Sequence, residues 1–325
     1  LTDQLLSAEK FVCIVGSNLS LTPFIKELTL ELPQKSPFQF QPGCYLMVSI
    51  PPHSLSYEQI EVARKFLGHW QGFEMERYRS RVPYALTCAY SIASSTVKNS
   101  QIQINVRVLH PEPTEMSSAS KTARPHEQEA MKATPCLISQ PSAWLFNRKV
   151  GDEVTIYGPY GSFFLQQAES ERIFIGGGTG LAPLISHIRS LFQGEAYGDP
   201  VSLWYGCTTS LDAIYLEELE GLASSHVNFN FHLVLSRPLG QDNWEGPVGH
   251  VQDFLRDSYL VKHPAPEVPA YYICGPSIMA ARTYGMLLDL GVPDDNIHLD
   301  EQAIPRHLMA TADVDAITGA TVLLA

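Results

Sequence analysis

One run constrains this chain more than any other: Ile173-Phe174-Ile175-Gly176-Gly177-Gly178-Thr179-Gly180-Leu181-Ala182-Pro183. An apolar strand ends abruptly in four glycines within five positions. Pro183 then stands in the first turn of a segment, 181–193, whose apolar residues have helical spacing. Without side chains, such glycines let the backbone come close to a pyrophosphate. The helix start adds free N–H donors and the positive end of a dipole. A glycine-rich strand-to-helix turn with no ligand has the same composition, so the turn needs support from elsewhere in the chain.

Support comes from the second half as a whole. Strand-like runs at 172–176, 201–206, 230–235 and 270–274 alternate with helix-like runs at 181–193, 213–223, 250–260 and 277–290. That alternation predicts a doubly wound parallel sheet, whose ligands sit at the carboxyl ends of its strands. A second such end is Tyr271-Tyr272-Ile273-Cys274-Gly275-Pro276, followed by Met279. A small thiol where the strand runs out can line a nicotinamide ring without blocking it, although a buried cysteine is usually a small hydrophobe. Two strand ends of one sheet with such turns are far more specific than either alone.

The first half reads differently. Runs 11–15, 24–31, 45–50, 102–109 and 153–157 are short, β-rich and bounded by turn residues, which predicts an antiparallel barrel. Val62, Phe66, Leu67, Trp70 and Phe73 give 57–76 a roughly helical spacing, weakened by Gly68 and Gly72. Residues 111–135 form a long polar loop, and the boundary between halves falls near 166–171. Within this half, 90–95 (YSIASS) offers a tyrosine able to stack on a flavin ring beside a serine hydroxyl able to reach its N5 edge. The run 158–165 (GPYGSFFL) turns into an aromatic stretch that reads as the last barrel strand.

The formal charge of −12, from 22 basic and 34 acidic residues, argues against nucleic acid or an anionic membrane as partners. The six cysteines are scattered and the eleven histidines show no ligand spacing, so no metal site is expected. No apolar run approaches ~18 residues, so no membrane span is expected. A reduced, cytoplasmic setting follows, including that of the soluble part of a membrane-associated electron-transfer system. His187 reads as packing or surface, Trp204 and Trp244 as core, and Glu217-Glu218-Glu220 as a solvated helix face. The first residue is Leu1, which suggests a segment of something longer.

The ordered set YSIAS, GPYGSFF, GGGTGLAP, CGPSIM resembles the ferredoxin–NADP reductase superfamily. More specifically, the insertion before YSIAS, the segment 235–251 and the ending 290–301 resemble the flavin and NADH domains of F subunits of the sodium-pumping NADH:quinone reductase. The resemblance spans about residues 8–303. It implies a six-stranded flavin-binding barrel at 8–168, a nucleotide-binding α/β domain at 171–305 and a tail at 306–325. It implies FAD and NADH as cofactors, with hydride passing from nicotinamide C4 to flavin N5 at roughly 3–3.5 Å. Electrons then go singly to a downstream acceptor, a quinone, flavin, iron or iron–sulfur partner.

Family positions assign Tyr90, Ser91, Ile92 and Ala93 to the flavin, with Ser91 and Cys274 catalytic. They assign Gly176, Gly177, Gly178, Thr179, Gly180, Ala182 and Pro183 to the NADH pyrophosphate, and Cys274, Gly275, Pro276 and Met279 to the nicotinamide side.

Several positions depart from the family pattern. Cys88 stands where an arginine pairs with the flavin phosphate, and the Gly-x-x-Ser turn is Ser139-Gln140-Pro141-Ser142. Gln140 and Ser142 remain the phosphate-turn candidates, with Arg107 or Arg81 replacing the charge, and FMN is an alternative to FAD. Gln302 replaces the aromatic residue after the terminal acidic pair. The family's membrane helix and [2Fe–2S] domain have no counterpart within these 325 residues, so the acceptor is expected to be supplied by something other than this chain.

Absence of arginine in 205–215 favours NADH, while Ser236-Arg237 resembles a pair that binds the NADPH phosphate; the balance is to NADH. Asp315, Thr318, Gly319, Ala320 and Thr321 resemble the flavinylation signature, which implies FMN joined covalently to Thr321; a short terminal strand is the plainer reading. The rival to a reductase is a degenerate relative kept as a docking or regulatory module.

Overall fold

The computed structural model describes residues 9–95, 100–109, 136–138 (as backbone), 140–166, 171–193, 197–240 and 243–300. The loop 111–135, Ser139, Gln302 and the tail with Thr321 lie outside them.

Among the described residues nine strands precede residue 161: β1 (Lys10–Ser20), β2 (Ile25–Glu31), β3 (Tyr45–Ile50), β4 (His53–Ser56), β5 (Tyr78–Val82), β6 (Leu86–Ser91), β7 (Gln101–Arg107), β8 (Cys136–Ile138) and β9 (Glu153–Tyr160). Six of them form one sheet in the order β6-β3-β9-β1-β2-β7, every neighbour antiparallel. An antiparallel bridge between Ile92 and Ile104 ties the end of β6 to β7 and closes the sheet on itself. Alternation fills the inside: Leu46, Val48 and Ile50 of β3 are fully buried while Tyr45, Met47 and Ser49 between them are half-buried. Phe11, Cys13, Leu28, Leu30, Ile102, Ile104, Val154 and Ile156 complete that core.

The run 57–76 does not form the helix its spacing predicts. Only α1 (Leu67–Gly72) is helical, between single 3-10 turns, and Glu74 adopts a left-handed conformation (φ 48°). Two glycines in six residues leave this helix little intrinsic stability. Packing orders it instead: Trp70 stacks between Phe24, Tyr57 and Phe146 at 6.0–6.3 Å. Beside it the Lys26 ammonium donates to the carbonyls of Glu61 (2.7 Å) and Phe146 (3.1 Å), the latter in α2 (Ser142–Phe146). Burial lowers the Lys26 pKa to about 8. Strands β4, β5 and β8 form a small second sheet absent from the sequence reading.

The second half follows the predicted alternation. Its strands are β10 (Arg172–Gly177), β11 (Val201–Cys207), β12 (Phe229–Leu235), β13 (Ala270–Cys274) and β14 (Ile297–Leu299). All neighbours are parallel, in the order β12-β11-β10-β13-β14. Helices α3 (Leu181–Phe192), α4 (Leu216–Ser225), α5 (Val251–Ser258) and α6 (Ser277–Asp289) cover it. Phe174, Leu203 and Tyr272 pack toward α3 and α4, whereas Ile173, Ile175, Trp204 and Ile273 pack toward α5 and α6. Every residue of β10 is therefore buried, as a central parallel strand requires. Trp204 is core, as expected, but Trp244 is half-buried, its ring N–H donating to the Pro247 carbonyl (3.0 Å). The chain runs outward from β10 to β11 and β12 on one side and places β13 and β14 on the other. The winding reverses between β10 and β13, and in open parallel sheets ligands bind beyond the strand ends at that point.

Candidate active site

The parallel register brings the two glycine turns together. In the parallel register Gly176 stands opposite Cys274. A methyl group added to Gly177 would meet Met279 Sδ and Pro276 Cδ, each at 2.7 Å, and one added to Gly275 would meet Met279 Cε at 2.7 Å. Glycine is thus demanded here by close packing of one turn on the other. Gly178 differs: it is left-handed (φ +54°), and only Arg107 Nη1, at 3.7 Å, would approach its methyl group. Its outer side is open toward the barrel. Thr179 and Gly180 complete a 3-10 turn that runs into α3, where Ala182 and Pro183 are buried in the first turn.

Cys274 is buried, and its Sγ donates to Asp300 Oδ2 at 3.3 Å. Burial first, then the Asp300 carboxylate, pushes the thiol pKa well above its ordinary value. Asp300 was not among the sequence candidates. Its signal was positional: it follows β14, the strand paired with β13, and its N–H donates to the Ile273 carbonyl (3.1 Å).

On the barrel side, Tyr90 and Ser91 end β6 on opposite faces. Tyr90 pairs with Leu46 and is 4% exposed; its hydroxyl is buried and has no partner. Ser91 pairs with Tyr45, which pairs in turn with Tyr160, giving a row across β6, β3 and β9. Tyr45 and Tyr160 stack at 5.6 Å, and the Tyr160 hydroxyl is also buried without a partner. The chain then carries Ile92 and Ala93 inward. Ala93 belongs to the same buried cluster as Leu181, Ala182 and Cys274, so the end of the YSIAS segment and the strand-end turns share one packed seam.

Arg107 ends β7 at that seam, with Nη2 3.2 Å from Asp212 Oδ1. Asp212 is itself held by the N–H and hydroxyl of Thr209. Arg81, the other candidate cation, is exposed on β5. The remaining candidates gather elsewhere: Gln140 and Ser142 are buried around the start of α2. Gln140 accepts from the Tyr57 hydroxyl through its side chain, accepts from Ser80 Oγ at its carbonyl (2.8 Å), and donates its N–H to Ser80 Oγ (3.3 Å). Cys88 is half-buried on β6, and burial raises its pKa to about 11.

Residues 174–284 match the family described as oxidoreductase NAD-binding domain. Over 299 residues the chain is 37% identical to the F subunit of the Na(+)-translocating NADH-quinone reductase of Pseudomonas aeruginosa (strain UCBPP-PA14), covering 92% of this chain and 69% of that relative. The chain belongs to this family of F subunits. The F subunit of the Haemophilus ducreyi enzyme is 36% identical over 301 residues, covering 93% of this chain and 69% of its own. The cytochrome b5 reductase domain of Ulva prolifera nitrate reductase shares the fold: TM-score 0.63 at 16% identity, covering 90% of this chain and 97% of that one. As an F-subunit relative with an oxidoreductase NAD-binding domain, the chain is an NAD(P)H-dependent flavoprotein reductase that passes electrons to an acceptor.

One sequence expectation for this F-subunit relative needs adjustment, and of the two readings of His187 the structure shows packing. Glu217 and Glu220 are exposed, but Glu218 between them is half-buried and holds Arg189 through both carboxylate oxygens at 2.7 Å. His187 is fully buried, donating from Nε2 to the Phe163 carbonyl at 2.9 Å. Among the described residues no group of three or more His, Cys, Asp or Glu could hold a metal ion. No helix among them is long and apolar enough to cross a membrane.

Proposed function

We propose that the chain oxidises NADH in the seam between the strand-end turns and the barrel, with FAD as its flavin, and passes electrons to a separate acceptor. The observation that carries this reading is the pairing of Gly176 with Cys274 at the switch point, with Arg107 of the barrel 3.7 Å from a methyl position on Gly178. The buried, unpartnered hydroxyl of Tyr160, in the row it shares with Tyr45 and Ser91, fits a polar ring edge seated against β6, β3 and β9.

Over one turnover NADH gives up a hydride and leaves as NAD⁺, the acceptor gains two electrons in two steps, and one proton is released. A bound flavin would supply N5 as the hydride acceptor and would convert a two-electron input into one-electron outputs. The protein's part is positioning and electrostatics. Gly176 to Gly180 and the first turn of α3, with Ala182 and Pro183, would present N–H groups and a positive dipole end to the pyrophosphate. Arg107 adds a full charge there. Gly275, Pro276 and Met279 would shape the nicotinamide side, and Cys274, held protonated, would flank the ring as a small neutral group. Ser91 would hold the reacting flavin edge, with Tyr90, Ile92 and Ala93 fixing the strand end beneath it. Gln140 and Ser142 would act from the α2 side.

Two finer points belong to this reading. NADH is preferred over NADPH, supported by the NADH named for the relatives and by the arginine-free 205–215 segment. FMN esterified to Thr321 rests on the Asp315–Thr321 match, and the intact mass of native protein decides it.

The test is direct. Purified chain loaded with FAD should lose its visible flavin absorbance on anaerobic addition of NADH, respond more slowly to NADPH, and reduce ferricyanide catalytically. A loaded chain that neither bleaches nor reduces ferricyanide overturns the proposal.

A further inference from the structure

Helix α3 begins at the glycine turn, and further along its length it grips the barrel segment that follows Ser91. Arg189 is the centre of that grip. Its Nε and Nη2 form a fork with both oxygens of Glu218, while Nη1 donates to the Ala93 carbonyl (2.9 Å) and lies 3.3 Å from Gln103 Oε1. Flanking contacts repeat the link: Ser186 Oγ donates to the Ser94 carbonyl (2.7 Å), and Ser95 Oγ to Gln193 Oε1 (2.6 Å).

The guanidinium also lies over the Tyr215 ring at 4.6 Å. Tyr215 Oη is 2.7 Å from both Glu27 Oε2 and Asn105 Oδ1. One hydroxyl proton serves only one acceptor, so the Asn105 amide must turn its nitrogen toward Tyr215. That orientation also gives a partner to Asn105 Nδ2, which otherwise has none. Gln103 Nε2 donates to the other Glu27 oxygen at 2.9 Å. One cation thereby connects α3 and α4 to β2, β7 and the strand end beyond β6.

We propose that Arg189 is a positioning residue for hydride transfer: through Ala93 and Gln103 it fixes where the Tyr90–Ser91 strand end stands relative to the glycine turn. The proposal rests on the reductase reading above. Arginine is suited to the task because its planar fork engages a carboxylate and leaves a third nitrogen for the barrel, which a lysine cannot do. A misplacement of the reacting centres by a fraction of an ångström to one ångström costs hydride transfer far more than it costs binding. Any loss should therefore fall on the chemical step. Because α3 starts at the nucleotide turn, occupancy of that turn should also be felt at 92–95, where the N–H of Ile92 donates to the Cys44 carbonyl and that of Ala93 to the Gln103 carbonyl.

The experiment compares the parent chain with Arg189→Met and Arg189→Lys in two arms. In the first, stopped-flow reduction of the FAD-loaded chain should show a limiting rate lower by about tenfold or more in Arg189→Met, with NADH affinity changed by less than about threefold. Arg189→Lys should recover only part of the rate. In the second, hydrogen exchange on flavin-free chain should show NADH slowing exchange at 92–95 in the parent and not in Arg189→Met. Glu218→Gln, which loosens the same fork from the other side, replaces Arg189→Met if that variant fails to fold. An unchanged limiting rate with NADH protection retained overturns the inference, as does a rate loss matched by an equal loss of NADH affinity. Failure of the parent chain to reduce flavin at all would sink the reductase reading instead, and the exchange arm would still decide whether Arg189 links the two sides.

Discussion

Gly180 lies against Cys274 so closely that a methyl group on its Cα would stand 2.6 Å from the Cys274 carbonyl oxygen and 2.6 Å from Gly275 Cα. Both are backbone atoms, which cannot swing aside as a side-chain tip can. Gly180→Ala must therefore part the two turns. We expect a stability loss of about 1–3 kcal/mol, typical of overpacking, and an NADH affinity weakened by about tenfold or more as the pyrophosphate donors are displaced. Denaturant unfolding and NADH titration of the same preparation check both. Full affinity in Gly180→Ala would show that the nucleotide does not use this turn.

Arg107 reaches the same turn from the barrel, and its partner Asp212 is only 3% exposed. Arg107→Ala removes a cation facing the open side of Gly178 and leaves a buried carboxylate, still held by Thr209, without its guanidinium partner. If the guanidinium reads the pyrophosphate in ground and transition state alike, KM for NADH should rise about tenfold while kcat changes little. Arg107→Lys should retain part of the affinity, since a point charge still attracts phosphate without the fork. Steady-state kinetics across salt concentrations separates these outcomes, because an electrostatic contact weakens as salt rises.

What the sequence disclosed and what it hid follow from the range of the interactions. The turns at 176–180 and 274–276 were legible because glycine at a strand end is a local demand of backbone geometry. The parallel sheet was legible because buried strands and covering helices alternate at fixed lengths. Strand β5, with the polar sequence YRSRV, and the four-residue β4 carry too little apolar pattern to be read as sheet. The 57–76 run has helical spacing, yet Trp70 takes its place from Phe24 and Phe146, far away in sequence, and the backbone yields to that packing. Glu218 and Asp300 escaped for the same reason. One looked like part of a solvated acidic face and the other like a chain-end acid, and only the tertiary fold brings them to Arg189 and Cys274.

The Cys274 thiol offers a chemical test of its surroundings. Burial and the Asp300 carboxylate both disfavour the thiolate, which is the form that reacts with alkylating agents. At pH 8 the folded chain should therefore be alkylated at Cys274 more than about tenfold slower than the unfolded chain. Peptide mass spectrometry after timed iodoacetamide labelling reads the site directly. Asp300→Asn should speed labelling only modestly, because desolvation is the larger cause and remains. Rapid labelling in the folded parent would mean that Cys274 faces solvent as a thiolate and cannot serve as a neutral wall for the nicotinamide.

His187 supplies the acid dependence of folding. Enclosed by Phe163, Phe174 and Tyr272, its imidazole is pulled by burial from 6.5 to about 3, against a smaller opposing contribution from the hydrogen bond to Phe163. The unfolded chain takes up this proton as pH falls through 6.5, whereas the folded chain does so only near 3. Between those values the unfolded state holds more protons, so the contribution is complete above pH 6.5 and is lost as pH falls toward 3. The expected slope from this one group is about 1.4 kcal/mol per pH unit. His187→Gln keeps an N–H for the Phe163 carbonyl but does not titrate. It should be less stable near neutrality, through lost ring packing, yet lose stability on acidification with a slope smaller by about one proton. Urea unfolding at a series of pH values measures both slopes, and equal slopes for the two chains would show that the buried imidazole is not the group that titrates.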